Sequence, residues 1–239
     1  MKIRVLTLFK DMYEGFLNTS IIHRILEKKL AEIEIIDIRD YSFDKHRHVD
    51  DTPYGGGAGM LMKVDVVHRA IKDNSNVKTH AILTSPKSNP LKQEDLVRLS
   101  KEEDILIICG HYEGIDCRIE KYVDEKVSIG DYILTGGELP SMVLIDGILR
   151  LLDEGISSDS LKEESFNNGL LEYPQYTRPV EYDGERVPDV LQNGNHAEIR
   201  KYNLKMALKE TMRYRPDLLN NRELSKEEKN LLEEIGNEL

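Results

Sequence analysis

Two glycine-rich strings in this chain have the composition that lets a small molecule approach the backbone. The first is Cys109-Gly110-His111-Tyr112-Glu113-Gly114-Ile115-Asp116. The second is Ser128-Ile129-Gly130-Asp131-Tyr132-Ile133-Leu134-Thr135-Gly136-Gly137-Glu138-Leu139-Pro140. Each follows a strand-like apolar run, over 104–109 and 126–129. Glycine at the exit of a buried strand leaves open the space a Cβ would fill. Two such exits close in sequence predict one pocket built from strand-end loops. Gly110, Gly130, Gly136 and Gly137 offer amides and carbonyls. Ile129, Tyr132, Ile133 and Leu134 offer apolar walls, and together they have the mixture usual in small-molecule sites. Taken singly, Ile129, Ile133 and Leu134 read more readily as core.

A third glycine segment, Asp50-Asp51-Thr52-Pro53-Tyr54-Gly55-Gly56-Gly57-Ala58-Gly59-Met60, is the most flexible stretch of the sequence. A phosphate-binding P-loop needs Lys-Ser/Thr after its last glycine, and Met60-Leu61 stands there. A dinucleotide fingerprint needs a preceding strand, and none is evident before Asp50. A plain surface loop and a backbone hinge beside a substrate both remain open. Farther on, Lys201, Lys205, Lys209 and Arg213 recur at i, i+4 along a predicted helix. Like charges at that spacing weaken a helix, so the ridge suits a polyanion, although a solvated helix face fits the same spacing.

The elements that must hold these segments alternate. Strands are expected over 3–9, 32–38, 81–84 and 105–109, and helices from 18–20 to Leu30, over 64–71, 90–100 and 138–152. Such alternation predicts a mostly parallel sheet covered by helices on both faces. After Arg150 the character changes: 153–164 is polar, and helices are expected over 196–214 and 224–235, with Pro216 stopping the first and Ser225 capping the second. The expected division is a catalytic domain over 1–156, a linker over 157–163 and a smaller all-α domain over 164–239.

Composition narrows the function classes. The chain has 239 residues and a formal net charge of −11, which argues against a protein that coats nucleic acid nonspecifically but permits a local basic face. No apolar stretch approaches the roughly 18 residues of a membrane span, and no leader is evident. The two cysteines, Cys109 and Cys117, form no CxxC pair, so a reduced cytoplasmic enzyme with structural thiols is expected.

The strings at 109–116 and 128–140 resemble, almost residue for residue, those of the bacterial tRNA (guanine-N1)-methyltransferases of the TrmD family, in the SPOUT superfamily. Similar strings occur at Pro53–Met60, Tyr173–Pro179 and Val187–His196. The resemblance implies S-adenosylmethionine as methyl donor, bound in a trefoil-knotted site of an α/β domain. Its donor-binding residues fall on Gly110, on Ile129, Gly130, Asp131, Tyr132, Ile133 and Leu134, on Thr84 and Pro86, and on Gly136, Gly137 and Pro140. It further implies methylation of the guanosine 3′-adjacent to the anticodon of tRNA, a Mg²⁺ requirement, and a homodimer whose sites are shared between subunits.

The family motif Leu-Ile-Asp-x-x-x-Arg places the cation for developing charge on guanine O6 at Arg150. The family's Asp-Ser-Phe-x-x-Gly-Leu-Leu is Glu164-Ser165-Phe166-Asn167-Asn168-Gly169-Leu170-Leu171 here. Glu164 thus stands at the general-base position, longer by one methylene, about 1.5 Å, with Asp159 as the fallback. Glu113, Tyr54 and Gly59 are expected to meet the target guanosine, and Arg178, Lys201, Lys205, Lys209 and Arg213 the rest of the tRNA. One departure touches the donor site: the family's Pro-Gln-Gly is Pro86-Lys87-Ser88-Asn89-Pro90 here, where Asn89 is the residue able to take a positive φ. Two other readings are a same-superfamily enzyme with another RNA target and a tRNA-binding protein that has lost catalysis.

Overall fold

The computed structural model describes residues 1–152, 164–220 and 222–238; Asp159 and the expected linker 157–163 lie outside them. The chain divides into two compact units, Met1–Ile156 and Ser157–Leu239.

The first unit is built on a five-stranded sheet of β1 (Lys2–Thr7), β2 (Glu32–Asp37), β5 (His80–Thr84), β6 (Asp104–Cys109) and β7 (Glu125–Val127), in the order β2-β1-β6-β5-β7. Every pairing is parallel. The apolar run of β6 is continuous after Asp104, and β1 is buried from Ile3 to Thr7 with Arg4 included, because both sheet faces are covered. Ile3, Val5, Ile105, Ile107 and Cys109 face one core, with α2 (Ser20–Glu27), α4 (Gln93–Leu99) and α5 (Glu138–Leu149) packed over it. Leu6, Leu106 and Ile108 face the other, covered by α3 (Val64–Asp73). The four-residue helix α1 (Glu14–Leu17) precedes α2.

Two element boundaries differ from the sequence expectation for local reasons. The helix expected to reach Leu30 stops at Glu27, since Lys29 takes a left-handed turn at φ 57°. The helix expected from Pro90 starts at Gln93, because Pro90 bridges to Ser128 and Leu91 N donates to Ser128 O at 2.8 Å. A short antiparallel pair, β3 (Asp50–Asp51) with β4 (Leu61–Met62), flanks the third glycine segment, so that loop does follow a strand.

At the amino end of the sheet, Arg4 and Asp104 form a shielded ion pair, with Thr79 and Asn76 also donating to Asp104. Burial on its own would raise the Asp104 carboxyl, but the bonds from Arg4, Thr79 and Asn76 outweigh it and hold the group below its ordinary value. A carboxyl lowered in the folded state stabilises the fold above its unfolded value, about 3.9. That stabilisation is lost as pH falls through the folded value. Unfolding midpoints in urea are therefore expected to converge for wild type and Asp104→Asn as pH falls from 6 to 3. A deficit in the variant that stays constant over that range would contradict the assignment.

The second unit holds α6 (His196–Tyr214), α7 (Pro216–Asn220) and α8 (Lys226–Glu238) around Leu170, Ala207, Leu208, Leu231 and Ile235. Asn195 caps α6 through its side chain. Ser225 and Glu228 cap α8 reciprocally, Glu228 N donating to Ser225 Oγ and Ser225 N to Glu228 Oε2. Pro216 ends α6 and itself opens α7, a position where its missing N–H costs nothing. The unit is not all-α. A hairpin of β8 (Glu181–Tyr182) and β9 (Glu185–Arg186) turns at Asp183-Gly184, with φ of 52° and 83°. An Asp-Gly pair is a strong signal for this tight turn, and the strands are too short for periodicity to reveal them.

Candidate active site

Strands β5, β6 and β7 are neighbours and parallel, so their carboxyl ends and the loops that follow lie side by side. That edge of an open α/β sheet is where ligands ordinarily sit. Gly137 seals the two strings together: its N–H donates to Gly110 O at 2.8 Å. A Cβ on Gly137 would lie 2.2 Å from Thr84 Oγ1, 2.8 Å from Cys109 Cα and 2.9 Å from Gly110 N. Thr84, buried, donates to Ile108 O at 3.1 Å. Gly110 behaves differently, since a Cβ there would meet only ordinary contacts, the nearest 3.5 Å away on Ile115. Packing within the chain accounts for glycine at 137 and leaves glycine at 110 to another cause.

The second string forms a loop held by local bonds. Ser128 Oγ donates to Gly130 O and accepts from Gly130 N, and Tyr132 N donates to Gly130 O at 3.0 Å. Ile133 is 80% exposed and Leu134 38%, which removes the core reading for these two, while Ile129 is half-buried; Tyr132 is 54% exposed. Apolar side chains held out of the core beside glycine backbone suit a ligand with an apolar body, so these residues fit the expected donor. Asp131 is exposed in the same loop, and Gly136 and Pro140 flank the start of α5.

The Pro86 loop is closed differently from the expectation. Asn89 has no positive φ; instead the Ser88 hydroxyl donates to Lys126 O, and Ser85 N donates to Val127 O at 2.9 Å. The serine hydroxyl and the strand-like bonds replace the turn a glycine would make.

Gly130 adopts φ 148°, and a Cβ on it would lie 2.5 Å from the Tyr132 ring. Gly130→Val is expected to displace Tyr132, and Tyr132→Ala to remove the same wall, so each should weaken S-adenosylhomocysteine in calorimetric titration. Unchanged affinity in folded variants would put the pocket elsewhere.

The third glycine segment belongs beside the first string. Glu113 N donates to Met60 O, Met62 N to Gly114 O and Asp116 N to Met62 O. Gly59, at φ 86°, lies against Glu113, whose Cγ is 2.4 Å from where a Cβ would stand. The structure thus brings Gly59 and Glu113 together, and leaves Tyr54 fully exposed at the loop tip.

Beneath the loops is a polar set that sequence reasoning missed. Tyr13 O–H shares a 2.6 Å hydrogen bond with Ser141 Oγ and lies 3.4 Å from Cys109 Sγ. Burial pushes the Cys109 thiol up to about 12, which makes it inert. Thr7 donates to the buried Glu138 carboxylate at 2.8 Å and accepts from Phe9 N. A cavity of about 190 Å³ opens above Glu138, lined by Phe9, Met12, His111, Thr135, Gly136 and Leu139 as well. A threonine ending an apolar strand and a glutamate opening an apolar helix were the available signals.

Arg150 caps the carboxyl end of α5, whose Ile145, Ile148 and Leu149 are fully buried, so its backbone is fixed by core packing. In the second unit, half-buried Glu164 opens a tight loop. Phe166 N donates to Leu170 O, Glu172 N to Ser165 Oγ and Leu171 N to Thr211 Oγ1, which ties this loop to α6. Arg178 is exposed. The cationic ridge is partly neutralised: Lys201 and Lys205 both face Glu234 of α8, at 3.7 and 3.3 Å. Arg213 lies over the Tyr214 ring, 4.9 Å from its centroid. Among the described residues no group of three or more His, Cys, Asp or Glu is arranged to hold a metal. None of the helices described is long and apolar enough to cross a membrane.

These features define an open parallel α/β protein with glycine-rich loops gathered at the carboxyl ends of its strands. Residues 1–221 match the family described as tRNA (guanine-1)-methyltransferase TrmD, and the chain belongs to that family. It is 51% identical over 240 residues to a tRNA (guanine-N(1)-)-methyltransferase of Lactobacillus johnsonii, covering 100% of this chain and 99% of the relative. It is 50% identical over 239 residues to the enzyme of that name from Fusobacterium nucleatum, again covering 100% and 99%. The corresponding protein of Dictyoglomus turgidum is 45% identical over 240 residues, covering 100% and 98%.

Proposed function

We propose that this protein is a cytoplasmic, S-adenosylmethionine-dependent methyltransferase acting on guanine N1 in tRNA, at the guanosine 3′-adjacent to the anticodon. The observation that carries the reading is the loop at 131–134, within the part of the chain the family matches: Tyr132, Ile133 and Leu134 are exposed apolar side chains beside Gly130 at the strand ends rather than core. The donor supplies an electrophilic methyl group on a positively charged sulfur. Gly110, Thr84, Pro86, Ile129 to Leu134, Gly136, Gly137 and Pro140 hold it, in loops we read as a trefoil knot. The family match supports that reading, and the hydrogen bonds from Ser85 and Leu91 to the 127–128 segment tie the Pro86 loop to the end of β7.

In this reading Glu164 accepts the N1 proton, and the Arg150 guanidinium offsets negative charge growing on guanine O6. Glu113, Gly59 and Tyr54 meet the guanosine. Arg178, Lys209 and Arg213 meet tRNA phosphates and splayed bases, while Lys201 and Lys205 divide their charge between tRNA and Glu234. Any Mg²⁺ binds through one or two carboxylates and its own water, a common arrangement for that ion. Incubating tRNA with labelled donor and analysing its nucleosides by mass should give 1-methylguanosine. Tight tRNA binding without turnover would favour a protein that has lost catalysis, and a methylated ribose would favour a different target.

We also propose a homodimer with shared sites. Phe9, Met12, Leu139 and Val143 are 38–50% exposed. The first three line one cavity, and Leu139 and Val143 are one turn apart on α5, so the apolar surface is continuous. Mixing Glu164→Ala subunits with Tyr132→Ala subunits should restore partial activity. A fully active monomer in sedimentation would refute the sharing.

A further inference from the structure

We propose that Glu138 sets the charge preference of the donor pocket, favouring the cationic methyl donor over its neutral product. The inference rests on the donor-site reading above. Glu138 is 3% exposed, the first residue of α5, directly after Gly136-Gly137. One carboxylate oxygen accepts from Thr7, whose own oxygen accepts from Phe9 N, so the threonine proton is committed to Glu138. The other oxygen lies against the Gly136 backbone, 2.4 Å from where a Cβ on that residue would stand. His111 Nδ1 lies beside the same point, at 2.8 Å, and is buried with no hydrogen-bond partner. No cation among the described residues pairs with Glu138.

A buried carboxylate without a cationic partner is costly, and proteins rarely keep one for packing alone. Two features hold the carboxylate here: the hydroxyl donated by Thr7 and its place at the amino end of the twelve-residue helix α5, where negative charge meets the positive end of the helix dipole. Its field reaches the pocket through Gly136, which has no side chain to screen it, and burial keeps salt from screening it. The donor and S-adenosylhomocysteine share the adenosine and amino-acid groups and differ by the methyl group and the charge on sulfur. Negative charge behind the pocket therefore binds the donor more tightly than the product and helps the product leave after transfer. Because positive charge on sulfur falls in the transition state, the carboxylate stabilises bound donor more than the transition state.

The test is Glu138→Gln, in which the amide oxygen still accepts from Thr7 and only the charge is removed. Calorimetry with both ligands should show donor affinity falling about tenfold and S-adenosylhomocysteine affinity changing less than twofold. The KM for donor should rise with kcat at saturation not reduced. Thr7→Val leaves the Glu138 carboxylate in place and removes only its hydroxyl tether, so it should keep more of the preference for donor than Glu138→Gln does. Should Glu138→Gln not fold, Glu138→Met with Thr7→Val replaces both partners by apolar groups and should lose the preference as well. Equal losses for both ligands, or no change in either, would assign Glu138 a packing role and overturn the proposal. Tyr132→Ala is the control: if it weakens both ligands while the Glu138 ratio is unmoved, only this inference fails. If it weakens neither, the donor-site reading fails with it.

Discussion

Glu164→Gln is expected to slow methyl transfer by about 10²–10⁴-fold while leaving donor and tRNA binding close to wild type. Guanine N1 must lose its proton as the new bond forms, and an amide of the same shape cannot take that proton at neutral pH. The loop that presents Glu164 should survive the change, because it is held by other groups: Phe166 to Leu170, Glu172 to Ser165 and Leu171 to Thr211. Glu164→Asp should keep activity, since one methylene is about 1.5 Å of reach. Single-turnover rates with excess enzyme separate the chemical step from binding and release. A wild-type single-turnover rate in the glutamine variant would move the base elsewhere, to Asp159 or Glu113.

Much of the sheet was legible because its strands are buried on both faces. The run Ile105–Cys109 is apolar without alternation, the mark of a central parallel strand, and Ile3–Leu8 is broken only by Arg4 and Thr7, which are themselves buried. The glycine strings were legible for a related reason: they follow those runs, and the topology then sets β5, β6 and β7 side by side. What periodicity did not contain is strand order and everything that depends on it. Thr7 and Glu138 are 131 positions apart in sequence, and only the adjacency of β1 to β6 and the packing of α5 join them. The Asp183-Gly184 hairpin failed for the opposite reason, being so local that two-residue strands carry no pattern. The lysine ridge was read correctly as a helix face, but its partner Glu234 lies on α8, and no single-helix argument could supply it.

Gly137→Ala is expected to be the most disruptive single methyl that can be added to the site. Its Cβ would stand 2.2 Å from Thr84 Oγ1, a contact that a rotamer change would relieve were it alone, but also 2.8 Å from Cys109 Cα and 2.9 Å from Gly110 N. Those two atoms belong to the end of β6, whose Ile107, Ile108 and Cys109 are fully buried, and they have nowhere to move. The 136–137 turn must shift instead, and in doing so it breaks the 2.8 Å bond from Gly137 N to Gly110 O. Overpacking of this kind costs about 1–3 kcal/mol and the lost bond about 1 more, so urea unfolding should show a deficit of about 2–4 kcal/mol. Donor affinity should fall with it, because the turn and Gly110 are two walls of the proposed donor pocket. Gly110→Ala is the informative partner: its Cβ meets nothing closer than 3.5 Å, so stability should stay near wild type. Donor affinity should nevertheless drop if a ligand approaches that backbone. Equal stability losses in the two variants would mean that the close approach at Gly137 is not what fixes the turn. A Gly110→Ala protein with unchanged stability and unchanged donor binding would remove Gly110 from the pocket.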